Sequence, residues 1–418
     1  MKRKFKIAIG LLATVLIGFI TFVLYQTRDD IGATFENTES ILTKLQKDTR
    51  NAGFAVSVFS KDTILFQKGF GYSDLESKTP YTTNTQQYIA SVSKTTIGIA
   101  LLKAQEMGLL NLDDPINRHL PFDVHNPNFP SDDISIRQLA THTSSLDYNE
   151  KVVESLYVHD SLKKPSLKEF VTNYFKNKSY GDITYTNRKP GTHFNYSNIG
   201  AGLAAYIVEH KSEMPFNAFT ELYIFKPLGL KSTSWFINDS IKLSAQTTYY
   251  EPKNDSLLPI DTKGVVLYPA RDLNTNIVDL TKYCQAIIAR STGLLTKESF
   301  SDLLSSQLDS RTEINTVDNS AIFWMIDRNQ YGVTYQLTGM NGGDTCMKTM
   351  MWFDPKTELG YIFIGNTGPA QQNRASHILI FKTLVSLGDH YTYNNATSIK
   401  EKLSFKWHNA YSRINGLF

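Results

Sequence analysis

Cysteine is scarce in this chain, and no metal-binding pattern of cysteine or histidine occurs. Among 418 residues there are only two cysteines, Cys284 and Cys346, so the sequence implies no disulfide framework. Their spacing matches no zinc pattern, and the sequence His-Glu-x-x-His is absent. We therefore expect neither a metal nor another cofactor.

Strong charge of either sign is lacking as well. The formal net charge is only +3, and no basic stripe is interleaved with aromatic side chains, so nucleic acid is not an expected partner. What the chain does have is apolar material, with 41% hydrophobic and 12% aromatic residues. That composition is enough for a large core and excludes a chain that is disordered throughout.

The N-terminal segment carries the longest apolar run. Four basic residues within the first six precede a run from Ile7 to about Tyr25, close to the roughly 20 residues that cross a bilayer as a helix. Basic residues beside such a run stay in the cytoplasm. Because no clear cleavage site follows, residues 1–28 are predicted to be a membrane anchor, with a cleaved signal peptide as the alternative. Both place the remaining chain in the periplasm or outside the cell.

Strand patterns occur near both ends of the chain, and helical patterns lie between them. The predicted strands are Phe54–Phe59, Thr63–Phe70, Ala321–Ile326, Gly332–Thr338, Met347–Phe353 and Gly360–Gly365. The predicted helices include Lys94–Leu110, Asn198–His210, 277–290 and about 370–387. This order predicts an α+β fold (an α/β sandwich), in which an antiparallel sheet is flanked by helices. The predicted domain covers 29–390, with a mainly helical insertion at about 112–260 and a C-terminal tail at 391–418.

The sequence Ser91-Val92-Ser93-Lys94 places a hydroxyl and an amine three residues apart, where a loop becomes a helix. Residues at i and i+3 share a helix face. An unprotonated lysine there could accept the serine proton and so produce a nucleophile. The alternative is structural, with Ser91 capping the helix and Lys94 exposed to water.

A second polar motif, Tyr196-Ser197-Asn198, lies just before a predicted buried helix. The preceding Pro190 and Gly191 favour a turn, from which Tyr196 and Asn198 would project. A tyrosine can relay protons when a nearby cation lowers its pKa, and an asparagine amide can hold a substrate carbonyl. The alternative for Asn198 is that it simply caps its helix.

These two motifs resemble those of the serine β-lactamase and penicillin-binding-protein superfamily. The likeness is greatest to the branch that contains AmpC-type β-lactamases, D-stereospecific peptidases and esterases. The Ser-x-x-Lys motif of that family matches Ser91 and Lys94, and its Tyr-x-Asn motif matches Tyr196 and Asn198, 105 residues later. The resemblance covers roughly residues 40–388. It implies catalytic roles for Ser91, Lys94 and Tyr196, and a substrate-binding role for Asn198.

The stretch from Ile134 to Leu146 also resembles the family. Its histidine, His142, invites a catalytic role. The resemblance implies instead that this stretch is a loop packed under the site. We therefore expect His142 to be structural and Arg137 to be a buried or bridging residue.

The chain departs from the family at the third motif. The family carries Lys-Thr-Gly or His-x-Gly on a strand beside the site, whereas this chain has the sequence Met340-Asn341-Gly342-Gly343. Met340 stands where a cationic or imidazole side chain is expected, and it cannot donate a hydrogen bond. Lys348 and Arg271 are two cations that could replace the missing one.

The glycines of the third motif remain. Glycine lets a backbone approach a ligand closely. The resemblance therefore still places Met340, Gly342 and Gly343 at the substrate, and it implies that the backbone N–H groups of Gly343 and Ser91 bind the oxyanion.

The resemblance thus implies a membrane-associated serine hydrolase that forms an acyl-enzyme on Ser91. Its substrate would be a small-molecule or peptide ester or amide, with cell-wall compounds among the candidates. The alternative is a catalytically weak or inactive homologue that binds or senses the cell wall, and Met340 is its main support. A third reading, an anchored protein with coincidental motifs, conflicts with the order in which the motifs occur.

Overall fold

The computed structural model describes residues 32–147, 157–158, 166–176, 184–237, 245–254, 256–261, 264–369 and 371–396. The segment 1–28, predicted to be a membrane anchor, lies outside the described residues, as does most of the predicted tail at 391–418. No helix within the described ranges is long and apolar enough to span a bilayer.

An eight-stranded sheet forms the centre of the fold. Its strand order is β10-β11-β12-β13-β14-β1-β2-β3, and every neighbouring pair is antiparallel. These strands are β1 (Gly53–Ser60), β2 (Ile64–Asp74), β3 (Thr79–Pro80), β10 (Asn319–Ser320), β11 (Met325–Asp327), β12 (Leu337–Asp344), β13 (Met347–Asp354) and β14 (Leu359–Gly365). Short two-stranded pairings join β4 (Gln87–Tyr88) to β9 (Asn274–Thr275), β5 (Tyr157–Val158) to β8 (Gly264–Val265), and β6 (Tyr249–Lys253) to β7 (Ser256–Ile260). The predicted antiparallel sheet, built from both ends of the chain, is confirmed.

Ten α-helices lie in the described part of the chain. They are α1 (Thr38–Asp48), α2 (Lys94–Glu106), α3 (Ile136–Ala140), α4 (Leu167–Lys176), α5 (Asn198–Ser212), α6 (Phe216–Thr220), α7 (Lys226–Leu228), α8 (Ile277–Ile288), α9 (Lys297–Leu304) and α10 (Gln371–Asn395). Four 3₁₀ turns occur at Ala90–Ser93, Ile116–Arg118, Tyr268–Ala270 and Gln330–Gly332, and a π-helical turn at Glu221–Phe225. Helices α3 to α7 fall within the predicted insertion, whose boundaries stay a prediction, and α10 continues into the segment predicted as tail.

Helices cover both faces of the central strands. Strand β1 is buried along nearly its whole length, and since successive side chains point to opposite faces, it needs cover on both sides. On one face, the Gln67 amide of β2 donates to the Thr281 hydroxyl of α8 (3.1 Å). On the other face, Phe363 of β14 packs against His377 of α10, with ring centroids 5.2 Å apart. The sheet is therefore the middle layer of a three-layer structure.

Two predicted strands differ from the structure. The segment predicted as one strand at Ala321–Ile326 reaches strand β11 only at Met325 and Ile326. Its first four residues, 321–324, form a tight connection between β10 and β11, in which Phe323 has a φ of 57°. The strand predicted at Gly332–Thr338 begins only at Leu337, because Gln330–Gly332 forms a 3₁₀ turn. Apolar residues in a buried turn produced the first error, since burial alone does not distinguish a strand from a packed loop.

Helix α2 runs through the centre of the helical layer, and Gly98 allows its closest contact. All but a few of its residues are buried. A Cβ atom added at Gly98 would lie 2.4 Å from the carbonyl oxygen of Ile322. The absence of a side chain here therefore lets the helix that begins at Lys94 pack directly on the chain between β10 and β11.

We predict that Gly98→Ala lowers the free energy of unfolding by about 1–3 kcal/mol, because the backbone of Ile322 must move. The sign of this change tests the close contact, since a glycine-to-alanine substitution inside a helix ordinarily raises the free energy of unfolding by roughly 1 kcal/mol. Urea unfolding measures the change, and Gly293→Ala is the control because a Cβ atom added there would meet no atom within 4 Å. An unchanged or higher unfolding free energy for Gly98→Ala would contradict the close contact.

Candidate active site

Ser91 lies in the 3₁₀ turn that leads into α2. The preceding residue, Ala90, has a φ of 47°, a backbone conformation that residues other than glycine seldom adopt. Strain of this kind concentrates at functional sites. The capping position of α2 is Ser93, and the Lys94 side chain is completely buried. The alternative in which Ser91 caps the helix and Lys94 is exposed to water is therefore excluded.

The structure brings together the three side chains for which catalytic roles were predicted. Lys94 Nζ lies 3.0 Å from Ser91 Oγ, and the Tyr196 hydroxyl donates to the same oxygen at 2.7 Å. Lys94 Nζ also donates to the carbonyl of Ala270 (2.7 Å) and lies 4.9 Å from the centroid of the Tyr196 ring. Ser91 Oγ thus has an amine and a phenol within hydrogen-bonding distance.

Burial holds the pKa of Lys94 well below its usual range, and the nearby positive charge of Arg271 adds to this effect. Both causes act against the charged form, because an ammonium ion loses hydration in the interior and is repelled by another cation. Lys94 is therefore able to exist as a neutral amine with a lone pair. A proton acceptor next to a serine hydroxyl is the requirement for nucleophilic catalysis.

The segment before α5 positions the Tyr-x-Asn motif. The Ser197 hydroxyl accepts the backbone N–H of Gly200 (3.0 Å) and so caps α5, which excludes Asn198 as the cap. Asn198 instead lines the same cavity as Ser91, and its buried Oδ1 has no hydrogen-bond partner in the described structure. Beside a cavity, a buried amide whose oxygen has no hydrogen-bond partner can bind a polar group of a ligand.

His142 packs against the Tyr196–Asn198 segment. Its Nδ1 accepts the backbone N–H of Ser197 (3.2 Å), and its ring lies 4.5 Å from the Tyr196 ring between centroids. Burial lowers the pKa of His142 to about 3, with a smaller contribution from Lys94, so this imidazole is neutral at ordinary pH. It is fully buried and does not line the cavity, in agreement with the structural role expected of it.

Arg137, from the same stretch, bridges two segments of the chain. Its guanidinium donates to Asp113 (2.6 Å) and to Asp302 (2.8 Å). This agrees with the bridging role expected for Arg137.

A cavity of about 560 Å³ opens above Ser91. This volume suits a small-molecule ligand or part of a peptide. The residues that line it are Ser91, His193, Phe194, Asn195, Tyr196, Asn198, Val265, Leu267, Ala270, Arg271, Asn315, Thr316, Gly343 and Asp344. Within the described ranges, no group of three or more histidine, cysteine or acidic side chains is placed to hold a metal ion.

Strand β12 forms one edge of this cavity. Gly343 lines it, whereas Gly342 and Met340 do not. A Cβ atom on Gly342 would lie 2.2 Å from the carbonyl oxygen of Ile89, so glycine is what allows β12 to approach the Ser91 turn. Met340 is 2% exposed and belongs to the core. Of the three residues predicted from the third motif, the structure thus places only Gly343 at the cavity wall.

The sequence did not identify the cavity wall that Ala270 and Arg271 form. Arg271, considered only as a substitute cation, lines the cavity and pairs with both Asp272 and Asp344. Lys348, the other substitute, does not line it; burial, with a contribution from Arg374, lowers the pKa of Lys348 to about 8. The Ala270 carbonyl that holds Lys94 could not have been found, because backbone atoms leave no signal in the residue pattern.

The chain is similar to several known proteins. Protein flp of Staphylococcus aureus (strain MW2) is 26% identical over 233 residues, which are 54% of this chain and 41% of that protein. The chain thus matches less than half the length of this curated relative. Among solved structures, the octameric penicillin-binding protein homologue from Pyrococcus abyssi superposes with a TM-score of 0.67 at 21% identity, covering 86% of this chain and 81% of that one.

A second solved structure, the β-lactamase/D-alanine carboxypeptidase from Pseudomonas syringae, gives a TM-score of 0.65 at 17% identity, covering 83% of this chain and 97% of that one. At these identities, the structural likeness establishes the fold. The family model described as Beta-lactamase matches residues 38–384, a range that contains the sheet, the Ser91 turn and the Tyr196 segment. The chain therefore belongs to the β-lactamase family.

Proposed function

We propose that this protein is a serine hydrolase that cleaves an ester or amide through an acyl-enzyme on Ser91. The observation that carries the proposal is the contact of Ser91 Oγ with a buried amine at 3.0 Å and a phenol at 2.7 Å, at the wall of a cavity. Membership of the β-lactamase family supports the same chemistry.

Acylation follows from this geometry. Ser91 Oγ attacks the carbonyl carbon while its proton passes to Lys94 Nζ, so that a C–O bond forms and the carbonyl oxygen becomes an oxyanion. The new ammonium is stabilised by the Ala270 carbonyl and by the face of the Tyr196 ring. When the tetrahedral intermediate collapses, the bond to the leaving group breaks. The leaving group then receives a proton from the Lys94–Tyr196 pair.

Deacylation reverses the proton transfers. Water attacks the acyl carbon and gives a proton to Lys94. The bond between that carbon and Ser91 Oγ then breaks, Lys94 returns the proton to Ser91 Oγ, and the acid product leaves. We assign oxyanion binding to the backbone N–H groups of Ser91 and Gly343, two residues that line the same cavity. The Asn198 amide, whose oxygen is buried and without a partner in the described structure, positions the substrate.

The substrate class follows from the third motif. Met340 is apolar and buried, so the position where the family has a cation offers no charge to a carboxylate. The cation that does line the cavity, Arg271, is already paired with Asp272 and Asp344. This favours esters or unusual amides over β-lactams and D-Ala-D-Ala peptides, which carry carboxylates. The names of the relatives, a penicillin-binding protein homologue and a β-lactamase/D-alanine carboxypeptidase, support a cell-wall-derived compound as one candidate.

We also propose that residues 1–28 anchor the protein in the cytoplasmic membrane, with the catalytic domain in the periplasm or outside the cell. The support is the apolar run from Ile7 to about Tyr25 and the basic residues before it. The domain boundaries at 29–390, with an insertion at about 112–260, are part of the same proposal.

The second candidate function is a catalytically weak or inactive homologue that binds or senses the cell wall. Met340 favours it, because the side chain expected to assist proton transfer or carboxylate binding is missing. The two candidates differ in one chemical event, the formation of a covalent adduct on Ser91.

We predict that a fluorophosphonate probe labels the wild-type protein on Ser91, since the serine is activated by the neighbouring amine. Ser91→Ala should abolish both labelling and the hydrolysis of p-nitrophenyl acetate. Ser301→Ala, an exposed serine outside the cavity, should change neither. Mass spectrometry of the adduct gives the readout, and an unlabelled wild-type Ser91 would support the inactive homologue.

We predict that kcat/KM falls as the pH is lowered through the pKa of Lys94, because a protonated amine cannot accept the serine proton. Since burial and Arg271 lower this pKa, activity should persist near neutral pH, where a lysine with the ordinary pKa of about 10.4 would be charged. Lys94→Arg should inactivate, since a guanidinium stays protonated. Lys103→Ala, on the same helix, should keep the wild-type profile. An acid limb near pH 10 would contradict the assignment.

We predict that Tyr196→Phe lowers kcat by about 10²–10⁴-fold, because the proton relay loses its hydroxyl while the ring packing is kept. Steady-state kinetics with p-nitrophenyl acetate provide the measurement. A Tyr196→Phe protein with unchanged kcat would show that Lys94 alone transfers the protons.

We predict that the protein hydrolyses p-nitrophenyl acetate with a higher kcat/KM than a chromogenic cephalosporin. The reason is that Met340 offers no charge to a carboxylate, and Arg271 is already paired with two aspartates. Both rates are measured on one preparation, with Ser91→Ala as the blank. Equal rates would remove the proposed preference and leave the hydrolase assignment in place.

A further inference from the structure

An ion pair crosses the cavity beside Ser91. The Arg271 guanidinium donates through Nη2 to a carboxylate oxygen of Asp344 and through Nη1 to Oδ1 of Asp272, the latter at 3.1 Å. Arg271 and Asp344 both line the cavity, with side chains 15% and 19% exposed. We call the Arg271–Asp344 contact the cross-cavity ion pair. It joins the chain that follows the Tyr268–Ala270 turn to the last residue of β12.

Both ends of the cross-cavity ion pair adjoin groups used in the proposed reaction. Arg271 directly follows Ala270, whose carbonyl accepts a hydrogen bond from Lys94 Nζ at 2.7 Å. Asp344 directly follows Gly343, and both residues of β12 line the cavity. The pair is therefore a side-chain contact between the wall that holds the amine and the wall assigned to oxyanion binding.

Each end is itself held in place. The second carboxylate oxygen of Asp272 accepts the backbone N–H of Val265 at 2.7 Å, which fixes the acid beside Arg271. At the other end, Asp344 Oδ1 accepts the backbone N–H of Thr345 at 2.7 Å. Beyond Leu337–Gly339, where β11 pairs with it, β12 has a sheet neighbour on one side only. The ion pair is thus placed to fix a segment that the sheet holds from a single side.

We propose that the cross-cavity ion pair positions the catalytic groups of the proposed hydrolase. It holds the Gly343 end of β12 at a fixed distance from Ser91, and its charge balance determines how readily Lys94 accepts the serine proton. Arg271 and Asp344 are positioning residues in this proposal, which rests on the proposed function.

The electrostatic part follows from the groups around Lys94 and Arg271. The charge of Arg271 contributes to lowering the pKa of Lys94, after burial. Asp272 and Asp344 offset that charge, as their contacts with Arg271 show. His142, which also faces Lys94, stays neutral because its pKa is about 3.

Two further titratable groups lie near the ion pair. Burial, together with Asp272, raises the pKa of Tyr88 to about 12, although Arg271 acts in the opposite direction. Burial, with Asp344, also raises the pKa of Cys346 to about 12, and Glu251 contributes weakly to that rise. Neither group ionises between pH 5 and 9. Arg271 is therefore the charge that acts on Lys94 in that range, and Asp272 and Asp344 act through their contacts with Arg271.

The proposal predicts opposite effects from its two ends. Arg271→Gln removes a positive charge, which raises the pKa of Lys94 and moves the acid limb of kcat/KM to higher pH. Asp344→Asn removes the negative charge that offsets Arg271, which moves the same limb to lower pH. If these residues only stabilised the fold, the acid limb of kcat/KM would not move in opposite directions when opposite charges are removed.

The positioning part predicts non-additive losses. Each single variant should lower kcat/KM at its own optimum by on the order of 10- to 100-fold, since small misplacements of reacting groups have effects of this size. The double variant Arg271→Gln/Asp344→Asn should lose no more than the worse single variant, because both remove one contact. Arg271→Lys, which keeps the charge, should retain the wild-type acid limb and lose only part of the rate.

The experiment measures kcat/KM for p-nitrophenyl acetate from pH 5 to 9 on the full chain, with thermal unfolding to confirm that each variant is folded. Arg118→Gln is the matched control, since it breaks an exposed arginine–aspartate pair outside the cavity and should leave the profile unchanged. Opposite displacements of the acid limb together with non-additive losses support the proposal.

Two results would overturn it, and they are distinguishable. Additive losses, or limbs that do not move or move in the same direction, would refute the positioning role while Ser91-dependent hydrolysis still stands. Hydrolysis that is unchanged in Ser91→Ala would refute the proposed function itself, and the cross-cavity ion pair would then have no reaction to position.

Discussion

The burial of Lys94 beside Ser91 is the constraint on which the site depends. Removing an ammonium ion from water without a counterion costs several kcal/mol, so the interior favours the neutral amine. The described contacts of Lys94 Nζ are a serine hydroxyl, a backbone carbonyl and an aromatic face, and none is a carboxylate. This environment tolerates a transient ammonium and does not stabilise a permanent one. A base that must gain and lose a proton in each cycle requires that balance.

Several segments of the fold position the groups that surround the Lys94 amine. The 3₁₀ turn at Ala90–Ser93 positions Ser91, and α2, which follows it, positions Lys94. The segment before α5 positions Tyr196, which is 105 residues from Ser91 in the sequence. The sheet supplies the opposite wall, because Gly342 lets β12 come within contact of the Ser91 turn. The Arg271–Asp344 contact then connects that strand to the loop that holds Lys94. The groups that could act on a carbonyl thus come from four separate segments of the chain.

The sequence predicted the antiparallel sheet and the residues that meet at Ser91, because spacing and alternation report directly on helices, strands and motif order. It did not predict that Met340 would lie in the core, since a residue matched to a motif position need not face the ligand. Nor did it find the Ala270 carbonyl or the pairing of Arg271 with Asp344. Those depend on which distant segments approach each other, and single-residue patterns contain no such information. The strand error near Phe323 has a related cause, because a buried turn and a strand share the same apolar composition.

The central claim, that Lys94 is a neutral base in the resting protein, can be measured directly by NMR. Lysine labelled with ¹³C at Cε is incorporated, the Lys94 resonance is assigned by its loss in Lys94→Met, and its chemical shift is followed as the pH is raised. The account predicts that Lys94 titrates well below the exposed lysines, in keeping with its buried position next to Arg271. A Lys94 resonance that titrates together with the exposed lysines, near pH 10, would contradict it.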